Sequence, residues 1–225
     1  MVATKGSLKK GIPFSILVPP LVFAPLAIPL FLLGIDVSIL RDAWYLSIFI
    51  SCVILAILSK TPLSEIGLST ERFGLSLLLS TAWELVTYIL LGIGPYFART
   101  GRLPILVPLN ETMAYSAFHF MLVGLAEETW MRGLLLKRLR EWRPRGAAPI
   151  IWSSIIFVLL HVAAASSIVV QDPSLLPLLA LSWLTLFVWA AGLAIIMLKT
   201  ENLLGPIIIH WLDDFVSKAL YIWQM

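Results

Sequence analysis

The chain has 225 residues, of which 60% are apolar and only 13% charged, against roughly 45–50% and ~25% in an ordinary soluble domain. So few charges cannot cover a soluble fold of this length, the single cysteine, Cys52, cannot form a disulfide scaffold, and a mean hydropathy of +0.95 excludes a disordered chain. An integral membrane protein remains, in which the net charge of +3 belongs to basic residues set between apolar stretches, a topology signal and not a nucleic-acid surface.

A spanning helix takes about 20 mainly apolar residues. Residues 12–34, 43–59, 73–98, 112–136, 149–170, 175–198 and 203–223 qualify. The expected fold is therefore all-α, a polytopic transmembrane bundle of about seven to eight spans, in one integral membrane domain over residues 1–225. The first stretch follows Lys5, Lys9 and Lys10 and exceeds the roughly 7–15 residues of a signal-peptide apolar region. It reads as an uncleaved span, kinked by Pro13, Pro19, Pro20, Pro25 and Pro29. The third holds Gly92, Gly94 and Pro95, and the sixth follows Asp172-Pro173, so each can conceal a break. The last opens on Gly205-Pro206, which predicts a broken start. With the N-terminus inside, eleven Lys and Arg residues fall on the cytosolic side and four outside, leaving Arg132 within a span. The positive-inside rule thus favours a cytosolic N-terminus, with Lys137, Arg138, Arg140, Arg143 and Arg145 as the strongest anchor.

Several ionisable residues lie where hydrocarbon is expected, at roughly 2.5–3.5 kcal/mol each on insertion scales. They are Glu84 in the third stretch, His119, Glu127, Glu128 and Arg132 in the fourth, His161 in the fifth, and His210, Asp213 and Asp214 in the last. For the isolated Glu84, a role in holding helices together is as good a reading as a function. A cluster drawn from three spans points to a functional site. At 1.5 Å per residue, Glu127 lies about 13 Å, His161 about 18 Å and His210 about 10 Å from the cytosolic ends of their spans. A carboxylate and two imidazoles are thus expected to meet in one cavity open to the cytosol. His119 lies about 12 Å further out, as a structural or access-path residue. Glu128 and Arg132 are four apart and can pair, while Glu127 points about 100° away, free to face a cavity. His210 and Asp214 are also four apart, so the Asp214 carboxylate is expected to accept from one imidazole nitrogen and fix its tautomer.

At these residues the chain resembles a known family. Ala126-Glu127-Glu128-Thr129-Trp130-Met131-Arg132-Gly133 matches the EExxxR signature of the CAAX prenyl protease and bacteriocin-processing (CPBP) membrane proteins. Phe157-Val158-Leu159-Leu160-His161 is similar to that family's FxxxH motif, and His210-Trp211-Leu212-Asp213-Asp214 to its HxxxN/D motif. Leu204-Gly205-Pro206-Ile207 and Glu65-Ile66-Gly67-Leu68 resemble its flanking elements, and the motifs cover the region from about residue 115 onward. The resemblance implies a glutamate-type intramembrane endopeptidase that needs no cofactor. By position, Glu127 would be the base that activates water, His161 would position that water, His210 and Asp214 would serve the oxyanion and its hydrogen-bond network, and Glu128 and Arg132 would support the site. The eukaryotic CAAX enzymes carry Asn where this chain has Asp214, whereas Asp is common among prokaryotic relatives, which implies a prokaryotic inner membrane. An ionised Asp214 has no proton to donate, so oxyanion contact falls to His210 with Asp214 as its orienter. The partner implied is a protein or peptide substrate at the membrane, lipidated or carrying a C-terminal anchor or leader, within the lipid bilayer and without nucleic acid.

Other classes compete. His and Glu are zinc ligands, but the chain has no HExxH motif and its histidines come singly from separate helices. Relatives in the family are thought to include scaffolds and bacteriocin self-immunity proteins, against which stands the presence of every core motif residue. A proton-coupled transporter using Glu127 and Glu128 as a relay is disfavoured by the short chain and the lack of an inverted repeat.

Overall fold

The computed structural model describes residues 36–106, 111–171, 176–217 and 221–222. The expected first span, residues 12–34, and the expected N-terminal orientation signal at Lys5, Lys9 and Lys10 lie outside the described residues.

Helix α1 runs from Val37 to Leu58 and is capped by Asp36, whose carboxylate accepts from the Ser38 backbone N–H at 2.7 Å. A short 3₁₀ turn, Leu63–Ile66, ends on Gly67 at φ 86°, a conformation that glycine tolerates without strain. Helix α2 spans Phe73–Thr87 and continues through a π-helical segment, Tyr88–Ile93, into α3, Gly94–Thr100. Gly92, Gly94 and Pro95 therefore do not break the third stretch. Pro95 falls in the first turn after the π segment, where a missing backbone donor is tolerated.

Helix α4, Glu111–Glu128, passes into a second π segment, Thr129–Leu135, and then α5, Leu136–Trp142. Helix α6 covers Ala148–Gln171, α7 covers Leu176–Thr200 and α8 covers Leu204–Phe215. Two two-residue strands, β1 at Ile105–Leu106 and β2 at Tyr221–Ile222, pair antiparallel; apart from them the described secondary structure is helical.

Among the described residues, three stretches are long and apolar enough to cross a membrane, Ser38–Leu58, Phe73–Thr100 and Leu179–Thr200. Of the last expected span, 203–223, the α part is α8 with 12 residues, followed by a π turn at 216–217, and residues 218–220 and 223 lie outside the described residues. Pro206 stands in the first turn of α8, so Gly205-Pro206 begins this helix and does not interrupt it.

The short α8 is wedged between α2 and α4; α1 packs on α4 and α6 on α7. Two glycines permit the close approaches. A Cβ on Gly124 would lie 3.1 Å from the Ile207 carbonyl oxygen and 3.2 Å from the Trp211 nitrogen, and one on Gly205 would lie 2.5 Å from the Ser76 carbonyl carbon. The start of α8 is fixed by buried Asn202. Its amide donates to the Ser69 and Glu71 carbonyls at 2.6 and 2.8 Å, while its side-chain oxygen accepts from the Leu204 N–H at 3.0 Å. Ser76 on α2 donates to the Asn202 carbonyl at 3.0 Å. At the end nearest the basic 137–145 cluster the bundle is filled by Leu136, Ala194, Met197, Leu203 and Ile207.

Candidate active site

The motif residues of α4 sit at the junction where the α-helix widens into the π segment. Glu127 and Glu128 close the α-helical part, and Arg132 lies four residues on. π turns inside helices recur at functional sites, and just before this one the ordinary turn of the α-helix points two consecutive carboxylates to different surroundings. Glu128 is fully buried, and its Oε1 lies 3.0 Å from an Arg132 guanidinium nitrogen. The N–H directions miss that oxygen, so the contact is an ion pair and not a hydrogen bond. The guanidinium, 2% exposed, lies over the Phe157 ring at 4.4 Å and near the Trp189 ring at 5.8 Å, a cation–π setting.

The opposite side of Glu128 holds His210. The imidazole Nδ1 lies 2.9 Å from Glu128 Oε1. A carboxylate at this site accepts, so Nδ1 carries the proton and Nε2 points the other way. Nε2 is 3.9 Å from Glu127 Oε2 and 3.7 Å from Asp214 Oδ2. This corrects the role expected of Asp214. The hydrogen bond that orients His210 comes from Glu128, because α8 crosses α4 so closely at Gly124 that the imidazole reaches across to the neighbouring helix. Asp214 is left on the Nε2 side, too distant for a direct hydrogen bond.

His161 on α6 has Nδ1 2.9 Å from the Phe157 carbonyl oxygen. A carbonyl only accepts, so this nitrogen also carries a proton and Nε2 is free to face outward. Glu127, His161, His210 and Asp214 all line one cavity of about 1340 Å³. Glu127 Oε2 is buried in its wall without a hydrogen-bond partner. The sequence-predicted residues are thus brought together, with Glu128 and Arg132 directly behind His210.

The direction of the cavity differs from expectation. Its lining continues from Glu127 to His119 and Tyr115 on α4 and to Tyr45 and Arg41 on α1, away from the 137–145 cluster. The reason is packing: the basic end is filled by apolar side chains, whereas the cavity lies along Tyr115, Ser116 and His119 of α4. His119 lies on this path, with Nδ1 2.5 Å from Asp42, which also accepts from the Tyr115 hydroxyl at 3.0 Å.

Two contributors were not foreseen. Trp189 forms the wall beside His210, with ring centroids 4.9 Å apart and planes at 80°. An apolar span carries no spacing signal for it. Asn202 did carry one, since Asn two residues before the Leu204 start is a helix-capping signature. Among the described residues no group of three or more His, Cys, Asp or Glu side chains is placed to hold a metal ion.

Residues 109–216 match the family described as type II CAAX prenyl endopeptidase Rce1-like. The match spans 108 of the 225 residues, and that segment is Rce1-like in sequence. This is the family that the three motifs resemble, and the match runs from the start of α4 to the end of α8. No curated protein and no solved structure matches the chain. The Rce1-like family is one of CAAX-type proteases, so a protein at the membrane is the substrate class. Together with the apolar helices it makes the chain an integral membrane protein.

Proposed function

We propose that the Rce1-like domain is a glutamate-type intramembrane endopeptidase that activates water without a metal. The observation that carries this is Glu127 Oε2, buried in a cavity wall, unpartnered, and 3.9 Å from the Nε2 of His210. A general base must lie within hydrogen-bond reach of the water it deprotonates. Water held between Glu127 and the free Nε2 of His161 would lose a proton to Glu127 as its oxygen attacks the scissile carbonyl. The carbonyl π electrons move onto oxygen, giving a tetrahedral oxyanion. A doubly protonated His210 donates through Nδ1 to Glu128 and through Nε2 to that oxyanion. When the C–N bond breaks, the proton on Glu127 passes to the leaving amine and the carboxylate is restored. Asp214, beside Nε2, adds a carboxylate that holds the protonated ring in place, and Arg132 balances Glu128.

The substrate is proposed to be a membrane-associated protein or peptide, lipidated or carrying a C-terminal anchor or leader, in a prokaryotic inner membrane. The charge asymmetry assigns the 137–145 cluster to the cytosol. The cavity runs away from that cluster, so the substrate segment is proposed to approach through the opposite half of the bilayer.

The test is cleavage by purified protein reconstituted in lipid. Glu127→Gln keeps the size of the side chain and removes the base, and it should abolish cleavage with folding intact. Chelators should leave wild-type cleavage unchanged. Full activity in Glu127→Gln, or chelator inhibition reversed by zinc, would overturn the proposal.

A further inference from the structure

We infer that Glu84, which lies outside the Rce1-like segment, is a positioning residue of the site and acts on His210 through the indole of Trp189; this rests on the reaction proposed above. Glu84 is on α2, and its Oε2 accepts a hydrogen bond from Trp189 Nε1 at 2.7 Å. One residue earlier, the Trp83 indole donates to the Trp189 carbonyl at 3.2 Å. The Trp83 ring fills the space over Gly192, where a Cβ would come within 2.0 Å of it. Two consecutive residues of α2 therefore hold both the backbone and the ring of Trp189.

The held ring shapes the site directly. It meets His210 edge-on at 4.9 Å, stacks near Phe157 at 6.0 Å and lies 5.8 Å from the Arg132 guanidinium carbon. His210 is oriented at Nδ1 by Glu128, but one hydrogen bond leaves the imidazole free to pivot about it. The Trp189 edge removes that freedom and keeps Nε2 toward Glu127 and Asp214. A tryptophan ring holds such a position only if its own tilt is fixed, and the Glu84 carboxylate fixes it. Trp189 is buried, so without Glu84 its N–H is unpaired and the ring turns to find another acceptor. This also accounts for a carboxyl group at a depth where hydrocarbon is expected. Asp213, on α8 three residues after His210, lines the same small cavity as Glu84 and is hydrogen-bonded to its carboxyl group.

The protein contains three histidines, so histidine-labelled NMR of the full chain in detergent resolves the site without a substrate. The His210 ring resonance is assigned by its loss in His210→Gln. Glu84→Leu should shift it and leave His119 in place. Glu84→Gln, whose side-chain carbonyl still accepts the indole N–H, should restore it. In cleavage assays Glu84→Leu should lower kcat by about tenfold or more with KM little changed, and Glu84→Gln should recover most of that. Glu84→Leu combined with Trp189→Phe should be no worse than Trp189→Phe alone, since one acts through the other. Should Glu84→Leu fail to fold, Trp189→Phe carries the NMR arm and must itself move the His210 signal.

An unmoved His210 resonance, a Gln variant as impaired as Leu, or a double variant whose losses multiply would overturn the inference. Full cleavage by Glu127→Gln would overturn the proposed reaction and leave the NMR arm standing.

Discussion

Replacing Glu128 tests how the site is held together. Its side chain is fully buried, 3.0 Å from Arg132 and 2.9 Å from His210 Nδ1. Glu128→Ala leaves a guanidinium that is 2% exposed without its counter-charge, a change that costs about 3–5 kcal/mol when one member of a buried pair is removed. It also orphans the His210 Nδ1–H, worth about 1–3 kcal/mol, and the two overlap because both arise from the same lost oxygen. A destabilisation of about 3–5 kcal/mol is therefore expected in denaturant unfolding in micelles, with cleavage lost. Glu128→Gln separates the two functions, since its side-chain carbonyl still accepts from Nδ1 but no longer neutralises Arg132. A charged hydrogen bond contributes about 1.5–3 kcal/mol against about 0.5–1.5 for a neutral one, so orientation should weaken by about 1–1.5 kcal/mol and kcat by about 5–13-fold. Adding Arg132→Met to Glu128→Ala should recover most of the stability and none of the activity. If Glu128→Ala unfolds at wild-type denaturant concentration and still cleaves, the assignment of Glu128 as the group that orients His210 is wrong.

Asp214→Asn should reduce cleavage less than Glu128→Gln does, because Asp214 stands 3.7 Å from Nε2 and makes no direct hydrogen bond to it; a larger loss, measured in the same kcat assay, would return the orienting role to Asp214. Gly124→Val should push α8 from α4, where even a Cβ meets the Ile207 oxygen at 3.1 Å, costing about 1–3 kcal/mol in the unfolding assay and a large part of the activity. A cysteine placed at position 143 should react with impermeant thiol reagent only after cells are opened, since Cys52 is buried and silent; labelling of intact cells would reverse the orientation.

What the sequence reveals is which residues gather around one cavity, and what it conceals is which group touches which. Glu127, His161 and His210 were legible because an ionisable side chain in an apolar span is costly enough to need a reason, and helical rise alone brought them to similar depth. The Glu128–Arg132 pair was legible from its spacing of four. The same spacing suggested Asp214 as the partner of His210, and there it misled. Spacing within one helix ranks only neighbours on that helix, whereas the closest carboxylate to the imidazole comes from α4, admitted by the absent side chain at Gly124. Span counting is limited for a related reason. Residues 203–223 are apolar enough to cross a membrane, and α8 with the π turn at 216–217 covers only part of them among the described residues. Composition reports where a segment can be buried and not whether protein or lipid buries it.

The Rce1-like segment carries all the motif residues and yet does not enclose the site by itself. Tyr45 and Ile48 of α1 line the cavity opposite Glu127 and His210, and Glu84 of α2 holds the Trp189 wall. Asn202 ties the start of α8 to the backbone around Ser69 and Glu71, also outside the segment. In the reaction proposed above, a base and two imidazoles in a low-dielectric site are useful only while their mutual geometry is fixed and bulk water is limited, because every unpaired donor or acceptor there is strongly drawn to the nearest alternative partner. The described residues ahead of 109 supply that restraint. Their helices show almost no motif, since walls and clamps can be built from many apolar sequences, whereas a carboxylate meeting two imidazoles cannot. The division of legible and illegible sequence between the two halves of the chain follows from that difference in what each half has to do.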